Sequence, residues 1–231
     1  MLTQLRTPRA VLFDVGDTLL VEARFDLEAG IASVVSTHAE VSELAEAFRE
    51  KVADCHRRLS EPLLAAWLRA SVQELGHRSV ESIEDTLWPA IVTLEPQPGI
   101  ATVLSVLSRD GIPMGAVSNA AFSGRILEAE LRRHGLAEYF RFVLTSADAQ
   151  SRKPAVTLFN LAVAALRLRA ADVWFVGDTL EEDIVGARDA GLQPVWFTPR
   201  PPEGLGVEAP IVRTWQDFAI LLYTSVRAPA G

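Results

Sequence analysis

Several residues able to do metal, phosphate or acid–base chemistry follow short apolar runs in this 231-residue sequence. Each run has the length of a buried strand, and each polar residue stands at or soon after its end. If the runs are neighbouring parallel strands, their carboxyl ends meet at one edge of a sheet, where ligands bind. In chain order, the residues brought to that edge are Asp14, Ser118, Asn119, Lys153, Asp178 and Asp183.

Such a cluster is suited to binding a metal cation and a phosphate group. Clustered carboxylates repel one another unless a cation lies between them. Oxygen ligands suit Mg²⁺, which proteins hold with one or two carboxylates and a substrate phosphate. Ser118, Lys153 and backbone N–H groups of the turn after the first run are candidates to hold the phosphate oxygens. Asp14 is then a candidate nucleophile for in-line attack on phosphorus.

The surrounding pattern predicts the elements that position these residues. Nearly continuous apolar runs alternate with segments of helical periodicity, which indicates an α/β fold with a doubly wound parallel sheet. The predicted strands lie at 10–14, 113–119, 141–146, 172–178, 194–198 and 210–212. The predicted helices after residue 99 lie at 100–107, 122–134 and 155–168, the last one following Pro154.

The segment 22–94 differs from the rest of the chain. It shows no strand pattern, but apolar residues recur at helical spacing in four places. We therefore predict a helical cap domain at 22–94, inserted into an α/β core domain made of residues 1–21 and 95–231. The Pro- and Gly-containing stretch 95–99 is the predicted hinge back into the core.

Four short motifs, in this order, resemble those of the haloacid dehalogenase superfamily of phosphotransferases, in the group with a helical cap after the first motif. The resemblance covers the whole chain. Its first motif, Asp-x-Asp-x-Thr, aligns with residues 14–18, and an apolar strand ending in Ser or Thr aligns with the run to Ser118. The third and fourth motifs align with Lys153 and with Gly177, Asp178 and Asp183.

The resemblance implies a Mg²⁺-dependent phosphatase acting on a small phosphorylated metabolite. Asp14 would attack phosphorus and form an aspartyl-phosphate. Asp14, Asp178 and the carbonyl of Gly16 would bind Mg²⁺. Asp183 would belong to the same metal site, where it would hold a metal-bound water or Lys153. Ser118, Asn119 and Lys153 would bind the phosphate, and Lys153 would share the catalytic role of Asp14.

Gly16 departs from the family pattern, which has a second aspartate at that position as general acid and base. Such help is typically worth about 10²- to 10⁴-fold in rate. Three explanations stay open: Asp17 replaces the missing acid; the substrate has a good leaving group or supplies its own acid; or the protein is a weak catalyst that binds a phosphorylated ligand. Dehalogenases lack this acid but need no metal. Phosphonatases use a cap lysine, for which Lys51 is the one candidate.

Composition argues against other classes of function. The formal net charge is −8 and there is no long run of like charges, so we expect neither a nucleic-acid partner nor an anionic membrane surface. Cys55 is the single cysteine, no apolar stretch approaches the length of a membrane span, and the N-terminus lacks a secretory pattern. We expect a cytoplasmic protein, and the sequence does not indicate its oligomeric state.

Overall fold

The computed structural model describes residues 5–37, 40–201 and 209–227. In chain order, the strands formed by the described residues are β1 (Ala10–Phe13), β2 (Leu20–Phe25), β3 (Val92–Pro96), β4 (Met114–Ser118), β5 (Phe140–Thr145), β6 (Val173–Gly177), β7 (Gln193–Phe197) and β8 (Ile211–Val212).

Helices connect these strands. In chain order, the α-helices of the described residues are α1 (Leu27–Ala32), α2 (Val41–Arg57), α3 (Leu64–Ser71), α4 (Val80–Ile91), α5 (Ile100–Arg109), α6 (Gly124–Arg133), α7 (Ser146–Ala149), α8 (Val156–Leu166), α9 (Gly186–Asp189) and α10 (Trp215–Arg227). The described residues also form short 3₁₀ turns at Gln73–Leu75, Ala137–Tyr139 and Ala170–Asp172 and a π-helical segment at Leu180–Val185.

Six strands form one parallel sheet in the order β5-β4-β1-β6-β7-β8. Both faces of the sheet are buried, which is why its strands are almost uninterrupted apolar runs. Along β1, Val11 and Phe13 pack into a core on one face, while Ala10 and Leu12 pack into a second core with α8 on the other. The predicted fold class, a parallel sheet wound with helices on both sides, is confirmed.

The insert after β1 is not wholly helical. Helices α1 to α4 lie between β2 and β3, which pair antiparallel as a separate two-stranded sheet. The expectation of no strand in 22–94 is therefore wrong. Most of β2 is exposed and carries charged residues, so it lacks an apolar run. β3 follows α4 without a Gly or Pro between them, and its short alternation merges with the helical pattern.

Both predicted domain boundaries fall inside this two-stranded sheet. Val21 pairs with Glu95 and Glu22 pairs with Leu94, so the cuts at 21/22 and 94/95 fall between the same two pairs. The hydrophobic core continues from the helices of the insert into the sheet. The division into a core and a cap domain stays a prediction. Among the described residues, none of the helices combines the length and apolar character needed to cross a membrane.

Candidate active site

The parallel sheet brings the predicted residues to one edge. Asp14 directly follows β1, Asp178 follows the neighbouring β6, and Asp183 lies on the π-helical segment. One carboxylate oxygen from each of these three residues lies within 4.8 Å of the other two. Residues that are far apart in the sequence are thus assembled because their strands end side by side.

Lys153 lies at the centre of the cluster. Its Nζ donates to Asp14 Oδ1 at 2.5 Å and to Asp183 Oδ1 at 2.6 Å, and it also approaches the Val117 carbonyl at 3.4 Å. The side chain is almost wholly buried, with 1% of Lys153 exposed to solvent. A buried ammonium between two carboxylates is strongly fixed, because removing either partner leaves an uncompensated charge.

The charges of the cluster do not balance, since it contains three carboxylates and one ammonium. Burial raises the pKa of Asp14 to about 8; Lys153 opposes this shift, and Asp183 and Asp178 add to it. Burial, followed by the charges of Asp183 and Asp17, raises the pKa of Asp178 to about 6. Burial would lower the pKa of Lys153, but Asp14 and Asp183 together hold it above its ordinary value. The cluster therefore has an excess of negative charge that a cation would neutralise.

The donor set fits Mg²⁺. Three closely spaced carboxylates offer hard oxygen ligands, the kind that suit Mg²⁺. The carbonyl of Gly16 accepts the N–H of Thr18 at 2.6 Å, so its predicted metal contact would have to use its second lone pair. The assignment of Asp14, Gly16, Asp178 and Asp183 as metal ligands stays a prediction.

The predicted phosphate ligands divide into two kinds. Ser118 ends β4 beside β1, and its hydroxyl has no hydrogen-bond partner among the described residues. Asn119, by contrast, is engaged: its Oδ1 accepts the Lys153 N–H at 2.8 Å, and its Nδ2 donates to the Lys153 carbonyl and to Glu182. A phosphate contact by either side chain stays a prediction, but only Ser118 offers an uncommitted group.

Position 16 is open space. A Cβ built on Gly16 would meet no atom within 4 Å, and its backbone is not left-handed. The neighbouring Asp17 is exposed and has a positive φ of 51°. Its charge acts on Asp178, but it does not line the cavity described below. Nothing in the packing requires glycine at position 16.

A polar network that the sequence did not predict joins the insert to the lysine loop. Arg152 donates to Glu61 at 3.0 Å and to Glu182 at 2.7 Å, and it also contacts the ring of His56. Glu61 additionally accepts from Ser146 at 3.2 Å. The adjacency of Arg152 to Lys153 is the one signal in the sequence, and it does not reveal partners so far away along the chain.

A cavity of about 440 Å³ opens beside Gly16 and Ser118 and extends under the insert. Most of its wall is apolar, and both the insert and the loops that follow the strands of the parallel sheet contribute to it. The lining residues are Val15, Gly16, Glu22, Phe25, Leu27, Phe48, Arg49, Val52, Glu61, Leu64, Trp88, Ile91, Val92, Leu94, Ser118, Asn119, Ala120, Ala121, Phe122 and Leu127. The cavity has the size of a small-molecule site and adjoins the residues predicted to hold the phosphate.

Fold and site agree with a match to a family model. The chain belongs to the haloacid dehalogenase-like hydrolases, whose model matches residues 8–191. The resemblance stated from the four motifs is thereby confirmed at the level of the family and of a hydrolase. The match does not address the glycine at position 16 or the helical-cap subgroup.

Named relatives are phosphatases. The chain is 30% identical over 197 residues to a glyceraldehyde 3-phosphate phosphatase of Methanopyrus kandleri, covering 80% of this chain and 81% of that one. It is 34% identical over 119 residues to a ribulose-1,5-bisphosphate 5-phosphatase of Halopiger xanaduensis, a match that spans about half of each chain, 51% and 49%.

Among solved structures, a 2-haloacid dehalogenase from Pseudomonas syringae pv. Tomato DC3000 has the same fold. It superimposes with a TM-score of 0.65 at 20% identity, and the match covers 94% of this chain and 99% of that one. At this identity the likeness establishes the fold alone.

Proposed function

We propose that this protein is a Mg²⁺-dependent phosphatase that hydrolyses a small phosphorylated metabolite through a phosphorylated Asp14. The observation that carries the proposal is the grouping of Asp14, Asp178 and Asp183 at the carboxyl edge of the sheet, with Lys153 bonded to Asp14 and Asp183. The relatives named as phosphatases of phosphorylated metabolites support the same class of reaction.

Each residue has a definite part in this reaction. Lys153 holds Asp14 by one carboxylate oxygen, so the other oxygen is left to attack phosphorus. The uncommitted hydroxyl of Ser118 and the Lys153 ammonium would bind phosphate oxygens. Mg²⁺, held by Asp14, Asp178, Asp183 and the Gly16 carbonyl, would supply positive charge to offset that of the phosphate. Water then hydrolyses the aspartyl-phosphate and restores the carboxylate.

The test is phosphate release from a panel of phosphorylated metabolites in MgCl₂. We expect turnover that EDTA abolishes and that the variant Asp14→Asn lacks while keeping its thermal stability. Asp189→Asn is the matched control, because Asp189 pairs with Arg188 on the surface and takes no part in the cluster. Substantial turnover by Asp14→Asn would exclude the nucleophile assignment.

A second candidate function follows from Gly16. Without the acid and base usual at that position, the pocket could bind a phosphorylated ligand and turn it over slowly or not at all. Retained binding of inorganic phosphate and Mg²⁺, measured by calorimetry, together with no hydrolysis of any panel member, would favour the binding protein.

Two other reactions have less support. A phosphonatase needs a lysine that reaches the active site from the cap, whereas Lys51 is exposed and is not part of the cavity wall. A dehalogenase would make no use of the carboxylate cluster as a metal site. Halide release from a 2-haloacid, independent of Mg²⁺, would favour dehalogenation over both functions above.

A further inference from the structure

The cavity next to the reactive cluster has few groups for a polyhydroxylated substrate. Among its charged lining residues, Glu61 already bonds Arg152 and Ser146, and Arg49 pairs with Glu28 at 3.6 Å. Glu22 is exposed at the wall. Glu61 and Arg49 have partners of their own and so gain little by binding a sugar hydroxyl, and the apolar part of the wall leaves such hydroxyls without partners.

The wall instead presents aromatic and aliphatic side chains. Trp88 and Phe122 are in edge-to-face contact, with ring centroids 4.9 Å apart, and the indole N–H of Trp88 is turned away to Glu130 at 3.0 Å. Phe48 is buried against the cavity from the insert, and Phe25 is exposed beside it. Aromatic surfaces of this kind favour a flat apolar group.

The second observation concerns the leaving oxygen. Asp17 is exposed away from the cavity wall, and no carboxylate projects from position 16, where there is open space. An alkyl alcohol is a poor leaving group without a proton donor. The oxygen of a phenol is much less basic, with a pKa of about 10 as in tyrosine, and can leave without one.

We infer that the substrate is an aryl phosphate, a phosphate monoester of an aromatic alcohol, whose ring occupies the cavity. This inference rests on the proposed phosphatase function and narrows it. Asp14 forms a bond to phosphorus, the bond from phosphorus to the aryl oxygen breaks, and the electron pair leaves on the phenolate, which takes a proton from solvent. Water then cleaves the aspartyl-phosphate, giving inorganic phosphate and free Asp14.

The inference has two parts, the leaving group and the aromatic ring. Three substrates test them separately: phenyl phosphate, benzyl phosphate and glucose 6-phosphate. Phenyl and benzyl phosphate share the ring but differ in the basicity of the leaving oxygen. Benzyl phosphate and glucose 6-phosphate share a primary alkyl leaving oxygen, but only benzyl phosphate carries an aromatic ring. We compare kcat/KM, because it reports the first irreversible step whichever step limits kcat.

For the wild type, we expect kcat/KM to be about 10²-fold or more higher for phenyl than for benzyl phosphate. We also expect kcat/KM to be at least about tenfold higher for benzyl phosphate than for glucose 6-phosphate, because an aromatic ring gains from burial against apolar side chains and a sugar does not. Gly16→Asp should raise the value for benzyl phosphate and change that for phenyl phosphate by less than about threefold.

Each failure has its own meaning. Equal values for phenyl and benzyl phosphate would overturn the leaving-group argument, and a preference for glucose 6-phosphate over benzyl phosphate would overturn the ring site. Either result leaves the phosphatase intact. If Mg²⁺-dependent hydrolysis of all three is absent, the proposed function fails and the inference fails with it.

The cavity can also be tested directly. Ala121→Phe places a ring in the space proposed for the substrate ring. We expect it to raise KM for phenyl phosphate while inhibition by inorganic phosphate stays the same, because inorganic phosphate has no ring to compete with the new side chain. An unchanged KM in a variant with wild-type thermal stability would contradict the placement of the ring.

Discussion

The side chain of Asn119 holds Lys153 by its backbone. Its amide oxygen accepts the Lys153 N–H at 2.8 Å, and its amide nitrogen donates to the Lys153 carbonyl at 3.1 Å. The same nitrogen donates to Glu182 at 2.9 Å, and Glu182 also accepts from Arg152. The end of β4 thereby fixes the loop that delivers the ammonium to Asp14. Asn119 is a positioning residue in this arrangement.

We predict that Asn119→Ala lowers kcat by about ten- to a hundredfold and changes KM less, because Lys153 would lose its fixed place beside Asp14. The loss of both contacts leaves buried backbone groups unpaired, at a cost of about 1–3 kcal/mol in the free energy of unfolding. Steady-state kinetics and chemical denaturation measure the two effects. Asn160→Ala is the control, because Asn160 is exposed on α8. A variant with wild-type kcat would contradict the positioning role.

The difference between Asn119 and Asp14 shows what the sequence could and could not predict. The sequence predicts where Asp14 lies in the fold, because a strand fixes the place of the residue that follows it and parallel strands end together; its role as nucleophile stays a prediction. The contacts of Asn119 are made to the backbone of Lys153 and to the side chain of Glu182, both far away along the chain, and no local pattern encodes them. The ribbon of β2 and β3 does not show in the sequence for a related reason: β2 is mostly exposed and β3 directly follows α4, so pairing, rather than an apolar run, defines the two strands.

Replacing Lys153 should damage both stability and activity. In Lys153→Met, the buried Asp14 and Asp183 lose their common ammonium. We expect loss of turnover and a decrease of about 3–5 kcal/mol in the free energy of unfolding near neutral pH. The decrease should be smaller in acid, where the carboxylates can take up protons. Lys51→Met, at the other lysine of the chain, is exposed and should change neither quantity. Equal stability of the two variants would show that the buried charges are compensated by other groups.

Without a divalent cation, stability should fall as the pH rises. Burial and neighbouring carboxylates raise the pKa of Asp178 from 3.8 to about 6 and that of Asp14 to about 8. The folded protein thus binds protons more tightly than the unfolded chain, so this stabilisation is present below about pH 4 and is lost towards pH 8.

Mg²⁺ should therefore raise the melting temperature more at about pH 8 than at about pH 5, since it competes with protons for the carboxylates. Thermal unfolding in EDTA and in MgCl₂ at both pH values measures this. Asp178→Asn should flatten the dependence in EDTA and weaken the effect of Mg²⁺, whereas Asp189→Asn on the surface should do neither. A larger Mg²⁺ effect in acid would contradict the assignment of these carboxylates as ligands.

Position 177 has no room for a side chain, whereas position 16 does. A Cβ at Gly177 would lie 2.4 Å from Cγ of Asp183, a side chain that is buried and bonded to Lys153 and Thr179. We predict that Gly177→Ala displaces Asp183 and weakens Mg²⁺ binding by about ten- to a hundredfold. Gly16→Ala meets no atom within 4 Å and should leave Mg²⁺ affinity unchanged within about threefold, as measured by calorimetry.

A variant in the same sheet separates this effect from a general loss of packing. A Cβ at Gly115 would lie 2.5 Å from Cζ of Phe142, away from the carboxylates. Gly115→Ala should therefore lower thermal stability through overpacking, while the folded protein keeps its affinity for Mg²⁺. If Gly177→Ala and Gly115→Ala lose stability alike and both keep their affinity for the ion, then Asp183 contributes to the fold and is not a ligand. If only Gly177→Ala loses affinity, the position of Asp183 beside Lys153 is what the ion requires.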